Sequence, residues 1–208
     1  AIHATGTPTI VVMVHGRPYS ITWMAEQIPA ILDAWYPGEE GGNALADVLF
    51  GEVSPSGRLP VTVPRSVGHV PAPYNHKPSA RGFYKRPGSP DAAGRDYVFA
   101  PPDPLYEFGF GLSYTTFAYS NLRVTPDRIL PAGQVEVRVT VRNTGTCVGK
   151  EVVQLYLDDV VSSVTTPVRA LRGFQKVELR PKESTEVAFA LGPQDLRLRN
   201  AEGQWVVE

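Results

Sequence analysis

Glu39-Glu40 is an adjacent acidic pair in the turn Pro37-Gly-Glu-Glu-Gly-Gly42. Acid–base cleavage across a sugar ring needs two carboxyls about 5–9 Å apart, and neighbours in sequence rarely converge that way. Two readings stay open. The pair can meet ligand hydroxyls from a loop at a strand's carboxyl end, where open α/β sheets place ligands. It can equally serve the positive N-terminus of the helix that follows. His15-Gly-Arg-Pro18 occupies the corresponding loop after the first strand, so His15 and Arg17 can line the same side of a polar crevice or only shape a turn. Tyr74-Asn-His76 joins an aromatic face to amide and imidazole groups, which suits the rim of a sugar site or a plain docking contact.

Other motifs carry less. Gly109-Phe-Gly-Leu-Ser-Tyr114 lacks the second glycine of a nucleophile elbow and does not open a helix, so it is neither a hydrolase serine nor a dinucleotide fingerprint. Asp158-Asp159 reads as a solvated turn at a strand end. Four histidines, at 3, 15, 69 and 76, show no metal-ligand spacing, and Cys147 is the one cysteine, so no disulfide or multi-cysteine metal site forms within the chain. No complete catalytic set emerges from these residues alone.

The elements that position these groups fall in two halves. Thr9-Ile-Val-Val-Met-Val14 is apolar on both faces, as a central strand of a helix-covered parallel sheet is. Ser20 is expected to cap a helix running to Ile28, with Pro29 at its end, and 30–36 to form a second strand. A second helix is expected over 43–50, with Gly51 just past it. This βαβα unit is too small for a doubly wound sheet and reads as the tail of a larger α/β domain. Leu59-Pro-Val-Thr-Val63 lies between prolines and suits only an edge strand. Residues 64–104 show no sustained apolar period, yet Tyr74, Phe83, Tyr84, Tyr97 and Phe99 favour docking over disorder.

From Phe117 the pattern is all-β. Val135, Val137, Val139 and Val141 alternate with polar residues before Asn143-Thr-Gly145. Val153, Leu155 and Leu157 alternate next, then a strand region from Leu171 to Leu179, then Val187, Phe189 and Leu191. These residues fit an immunoglobulin-like or fibronectin type III-like sandwich, whose last strand is expected beyond Glu208. Pro104-Leu-Tyr-Glu-Phe-Gly-Phe-Gly-Leu-Ser-Tyr-Thr-Thr-Phe117 joins the halves. It holds too much apolar surface for a solvated linker and is expected to be pinned.

Composition narrows the classes. The 208 residues carry a net charge of -1, which argues against nucleic acid or an anionic membrane as partner. No apolar run reaches the roughly 18 residues of a bilayer span. The 19 glycines and 20 prolines together make up about 19% of the chain against a usual ~12%, in keeping with a long irregular region. Ala1 follows no initiator methionine and opens no signal peptide, so the native start is expected upstream.

Several segments resemble the C-terminal part of the β-glucosidases of glycoside hydrolase family three. They are Ala4-Thr-Gly-Thr-Pro8, Trp35-Tyr-Pro-Gly-Glu-Glu-Gly-Gly-Asn-Ala-Leu-Ala-Asp-Val-Leu-Phe-Gly51, Pro55-Ser-Gly-Arg-Leu-Pro60, Val63-Pro-Arg-Ser-Val-Gly68 and Tyr74-Asn-His76. The joining segment 104–117, Asn143-Thr-Gly145, Val152-Val-Gln-Leu-Tyr156, Pro167 and Leu171-Arg-Gly-Phe174 continue it, in order along nearly the whole chain.

The resemblance implies an α/β plus all-β chain. Residues 1–64 would be the C-terminal part of an α/β sandwich domain, 65–117 a connecting loop, and 118–208 a fibronectin type III-like domain. It implies a parent enzyme that removes terminal non-reducing β-D-glucosyl residues by a retaining two-step mechanism without cofactors. The family's nucleophile and acid/base match no position here, so the segment alone is expected to be inactive. Its role would be to complete the pocket wall and brace the domains, with sugar contacts from His15, Arg17, Glu39, Glu40, Tyr74 and His76. Implied partners are a β-linked gluco-oligosaccharide or aryl glucoside and the upstream barrel of the same protein, with a homodimer allowed. The implied location is periplasmic or secreted. A β-xylosidase or arabinosidase of the same family is a second reading. A freestanding immunoglobulin-like binding module is a third, which leaves the βαβα unit unexplained.

Overall fold

The computed structural model describes residues 1–78 and 103–208. The aromatics Phe83, Tyr84, Tyr97 and Phe99, expected to dock, lie outside the described residues. The chain forms two compact units. The first comprises Ala1–Val53, Leu59–Tyr74 and, among the described residues beyond, 103–110; the second comprises Ser54–Arg58, 75–78 and Gly111–Glu208.

In the first unit, β1 (Ile10–Met13) and β2 (Ala30–Asp33) pair in parallel, from Ile10 opposite Ala30 to Met13 opposite Asp33. Parallel neighbours need a crossover, which here contains α1 (Thr22–Gln27). Ile21 and Ile28, the residues flanking α1, are both buried. α2 (Gly41–Leu49) follows β2.

Three expectations for this unit need correction. Ser20 does not cap the first helix: Ile21 precedes it and no side chain caps it. The Thr22 hydroxyl donates instead to the Arg65 carbonyl at 2.7 Å, a partner 43 residues away. The second strand stops at Asp33, short of Tyr36, because Trp35 takes a left-handed backbone (φ 52°) that an extended strand cannot hold. Leu59–Val63 is no continuous strand but makes a single bridge, Val63 to Tyr106. The Leu59 N–H donates to the Phe110 carbonyl at 2.8 Å and Gly109 N–H to the Leu59 carbonyl at 2.7 Å. Pro60 and Pro64 have no N–H to offer, so the ladder cannot fill in.

The aromatic segment thereby gains its anchor inside the first unit. Tyr106 stacks on Phe110 at 5.2 Å between centroids and Tyr74 on Phe108 at 4.1 Å. The segment's later part, from Gly111, belongs to the second unit.

The second unit is a β-sandwich. In chain order its strands are β3 (Phe117–Thr125), β4 (Val135–Asn143), β5 (Gly149–Leu157), β6 (Ala170–Leu179) and β7 (Ser184–Leu191). A short helix α3 (Pro193–Leu196) and the two-residue strands β8 (Leu198–Arg199) and β9 (Trp205–Val206) follow. One antiparallel sheet runs β3-β4-β7, and β5 pairs with β6 in the other. Val141 and Val187 from the first sheet meet Val153 and Leu179 from the second in one buried cluster, with Phe117, Val139, Val177 and Phe189 packed around it. Burying such a side chain contributes about 1.5–3 kcal/mol, which is why the valine alternation is the strongest pattern in this half.

Two polar groups sit inside this apolar frame. The Asn143 amide is fully buried. It accepts from the Thr115 hydroxyl at 2.6 Å and the Gly145 N–H at 3.0 Å, and donates to the carbonyls of Cys147 and Leu179 at 2.8 and 3.0 Å. Glu151 on β5 accepts from Arg58 and from the Tyr119 hydroxyl. Ser54 and Ser56 accept from Tyr114 N–H and Lys176 Nζ, so the whole segment Ser54–Arg58 is fastened to the sandwich.

Candidate functional site

The ladder between β1 and β2 continues past both strand ends. Ala34 N–H donates to the Met13 carbonyl at 2.9 Å, and His15 N–H to the Trp35 carbonyl at 3.1 Å. This brings the loop that starts at His15 beside the loop that starts at Ala34, both at the carboxyl edge of the parallel pair. Open α/β sheets bind ligands at that edge.

His15 is buried, with its Nε2 at 2.8 Å from Asp33 Oδ1. The distance is that of an ion pair, yet the alignment is not that of a hydrogen bond. Neither ring nitrogen nor Asp33 Oδ1 has an aligned partner among the described residues. Aromatic rings close the box: Tyr19 meets the imidazole edge-on at 5.2 Å and Trp35 tilts against it at 5.1 Å. Arg17, two residues on, is exposed.

Beyond Trp35, the Tyr36 ring lies over Gly16 so closely that a Cβ there would fall 2.6 Å from the ring carbon Cε2. A larger residue there would turn the exposed Tyr36 ring aside. Gly38 then turns the chain at φ 77°. Glu39 and Glu40 stand exposed, with Glu40 immediately before α2. The Glu40 carboxylate accepts from the Asn43 side-chain amide at 2.7 Å rather than from the helix backbone.

First-unit geometry therefore brings together the loops that carry His15 and Arg17 on one side and Glu39 and Glu40 on the other. Tyr74 lies in the same unit, stacked on Phe108. His76 belongs to the second unit, where its carbonyl accepts from Val168 N–H at 2.9 Å and its Nδ1 is 3.1 Å from the Lys77 carbonyl. Asp33, Tyr19 and Trp35 escaped the sequence reading. Asp33 left one signal, as the lone acid closing the apolar stretch Ala30-Ile-Leu. Among the described residues, no group of three or more His, Cys, Asp or Glu is placed to hold a metal ion. No helix among them is long and apolar enough to cross a membrane.

Comparison with known proteins gives this arrangement its context. Residues 1–114 match the model of the glycosyl hydrolase family 3 C-terminal domain, and residues 151–208 that of the fibronectin type III-like domain. A β-xylosidase of Formosa agariphila is 43% identical over 208 residues, covering 100% of this chain and 28% of that protein. A periplasmic β-glucosidase of Salmonella typhimurium is 41% identical, covering 100% of this chain and 27% of that one. Among solved structures, a β-glucosidase of Erythrobacter marinus superposes with a TM-score of 0.88 at 46% identity, over 100% of this chain and 26% of that chain. The chain thus spans about a quarter of the length of the relatives it matches. By the family match over more than half its residues, and by likeness over its full length, the chain belongs to glycosyl hydrolase family 3.

Proposed function

We propose that the chain is the C-terminal segment of a retaining β-glucosidase that acts on terminal non-reducing β-D-glucosyl residues, and that it forms one wall of the sugar site and braces the domains. The observation that carries this is the pair of loops at the carboxyl edge of β1 and β2. One loop opens on buried His15 and carries exposed Arg17, the other carries exposed Glu39 and Glu40, and the His15 N–H joins them at the Trp35 carbonyl, in a chain whose relatives include β-glucosidases. Guanidinium and carboxylate groups suit sugar hydroxyls as donors and acceptors. The nucleophile and the acid/base belong to other parts of the full protein in this reading, since the family's two catalytic carboxyls match no position of this sequence. Tyr74 and His76 are proposed sugar contacts as well, each to be tested on its own. The boundaries 1–64, 65–117 and 118–208 and a periplasmic or secreted location belong to the same proposal.

The relative named as a β-xylosidase, at 43% identity, favours one alternative: the same chemistry on a β-xyloside. A freestanding binding module accounts poorly for a family match that begins at residue 1. The test is hydrolysis of aryl β-glucoside and aryl β-xyloside by the 208-residue chain and by the full-length protein. The chain alone is expected to be inactive and the full protein to prefer the glucoside. Turnover by the chain alone would refute the division of labour, and a higher kcat/KM on the xyloside would select the alternative.

A further inference from the structure

Three contacts hold the second loop to the first before it reaches its two glutamates. The His15 N–H donates to the Trp35 carbonyl, the His15 ring packs against the Trp35 ring, and Tyr36 covers Gly16. Asp33, from the last position of β2, faces the imidazole from the strand side. The grip acts on a strained point. Trp35 sits at φ 52°, a conformation unfavourable for a bulky side chain, and such a residue persists only where its surroundings over-determine it. Strain of this kind concentrates at functional sites. Pro37, Gly38 and the two glutamates follow directly, so the backbone direction at Trp35 decides where those carboxylates stand.

The burial of His15 separates its role from theirs. Its side chain is 5% exposed, whereas Glu39 and Glu40 are open to solvent. A buried imidazole beside a carboxylate, walled by Tyr19 and Trp35, can orient a loop without itself meeting a sugar. We propose that His15, paired with Asp33, is a positioning residue that locks Trp35 in its left-handed backbone and thereby sets Glu39 and Glu40 toward the sugar. The inference rests on the reading that these loops meet substrate.

Steady-state kinetics of the full-length enzyme on an aryl β-glucoside test it, with thermal unfolding followed for every variant. Glu39→Gln combined with Glu40→Gln is expected to raise KM; an unchanged KM removes the substrate reading, and the positioning role with it. His15→Phe keeps a ring against Trp35 and loses the polar pair. It is expected to raise KM about tenfold with a smaller change in kcat, as loss of binding shared by ground and transition states does. His15→Gln, which keeps a donor near Nε2, is expected to recover most of that loss. Added to the double glutamine variant, His15→Phe is expected to cost nothing further, because both act through the same carboxylates. A wild-type KM in His15→Phe, or an effect that adds in full, overturns the positioning role while leaving the substrate reading intact. If His15→Phe fails to fold, Asp33→Asn decides: a raised KM supports the proposal and an unchanged one overturns it.

Discussion

The Arg58 guanidinium donates to the Glu151 carboxylate at 2.5 Å across 93 residues of sequence, and the two side chains are only 11% and 12% exposed. Removing one member of such a pair leaves a buried charge without its counter-charge, which typically costs about 3–5 kcal/mol. Arg58→Ala is therefore expected to destabilise the second unit by that amount, read from the urea midpoint of the chain. The pair itself contributes less than its breakage costs, since both ions gave up hydration to form it. Arg58→Met combined with Glu151→Leu is accordingly expected to lie closer to wild type than either single change. Additive losses would show that the two residues act separately.

Tyr119 shares the Glu151 carboxylate, donating to it at 2.7 Å. Burial of the phenol, then the hydrogen bond and the negative charge of Glu151, hold its pKa well above the ordinary value near 10. The folded chain thus keeps a proton that the unfolded chain releases from about pH 10 upward. The stabilisation is fully present below that pH and is lost as pH rises above it. With the ring about half exposed, solvent screening keeps the effect modest. Ultraviolet titration of the phenolates is expected to show a late-ionising component that is lost in Tyr119→Phe. No change in that variant would refute the assignment.

Local pattern made the sandwich strands readable, and distance hid the rest. Val135, Val137, Val139 and Val141 alternate because one face of β4 lines the core, and β7 pairs with it over its full length. β3 shows no such alternation: a bulge between Ser120 and Arg123, with Asn121 at φ 54°, shifts the register midway. Arg58 and Asn143 look like ordinary loop and strand-end residues in sequence, because the partners that tie them into the fold, Glu151 for Arg58 and Thr115 and Leu179 for Asn143, lie 28 to 93 positions away. In the candidate site, the loops after the first two strands were legible from strand ends and glycines. The His15–Asp33 approach and the left-handed Trp35 were not, since no spacing encodes a tertiary packing choice.

Asn143 uses both atoms of its amide twice. Asn143→Ala would leave two carbonyls, one N–H and one hydroxyl seeking partners in or near the core. Each buried unpaired group costs about 1–3 kcal/mol, so a loss of at least 3 kcal/mol is expected after some relaxation. Asn143→Asp keeps the acceptor side but turns an acceptor toward the Cys147 and Leu179 carbonyls. Its stability is expected to fall further as pH rises through the carboxylate range, because the charged form is the one the interior disfavours. A flat pH dependence in that variant would mean that water reaches the site.

Gly111 tests whether the Arg58 network and the backbone around it form one unit. A Cβ at this position would come 2.3 Å from the Gly57 carbonyl oxygen and 3.0 Å from Arg58 Cδ. The same carbonyl accepts from Arg58 Nη1 at 2.9 Å, so a methyl group would displace the segment that aims the guanidinium at Glu151. The clash involves backbone and cannot be relieved by swinging one side chain aside. Gly111→Ala is expected to cost about 1–3 kcal/mol, in the range of other overpacking changes. Its effect should overlap with that of Arg58→Ala, because part of the damage of each is the same lost contact. A double-mutant cycle on the chain, read by urea unfolding, is expected to give a coupling of at least ~0.5 kcal/mol between the two sites. Full additivity would show that the Gly57 carbonyl yields without moving Arg58, and that the network tolerates a shift in its supporting loop.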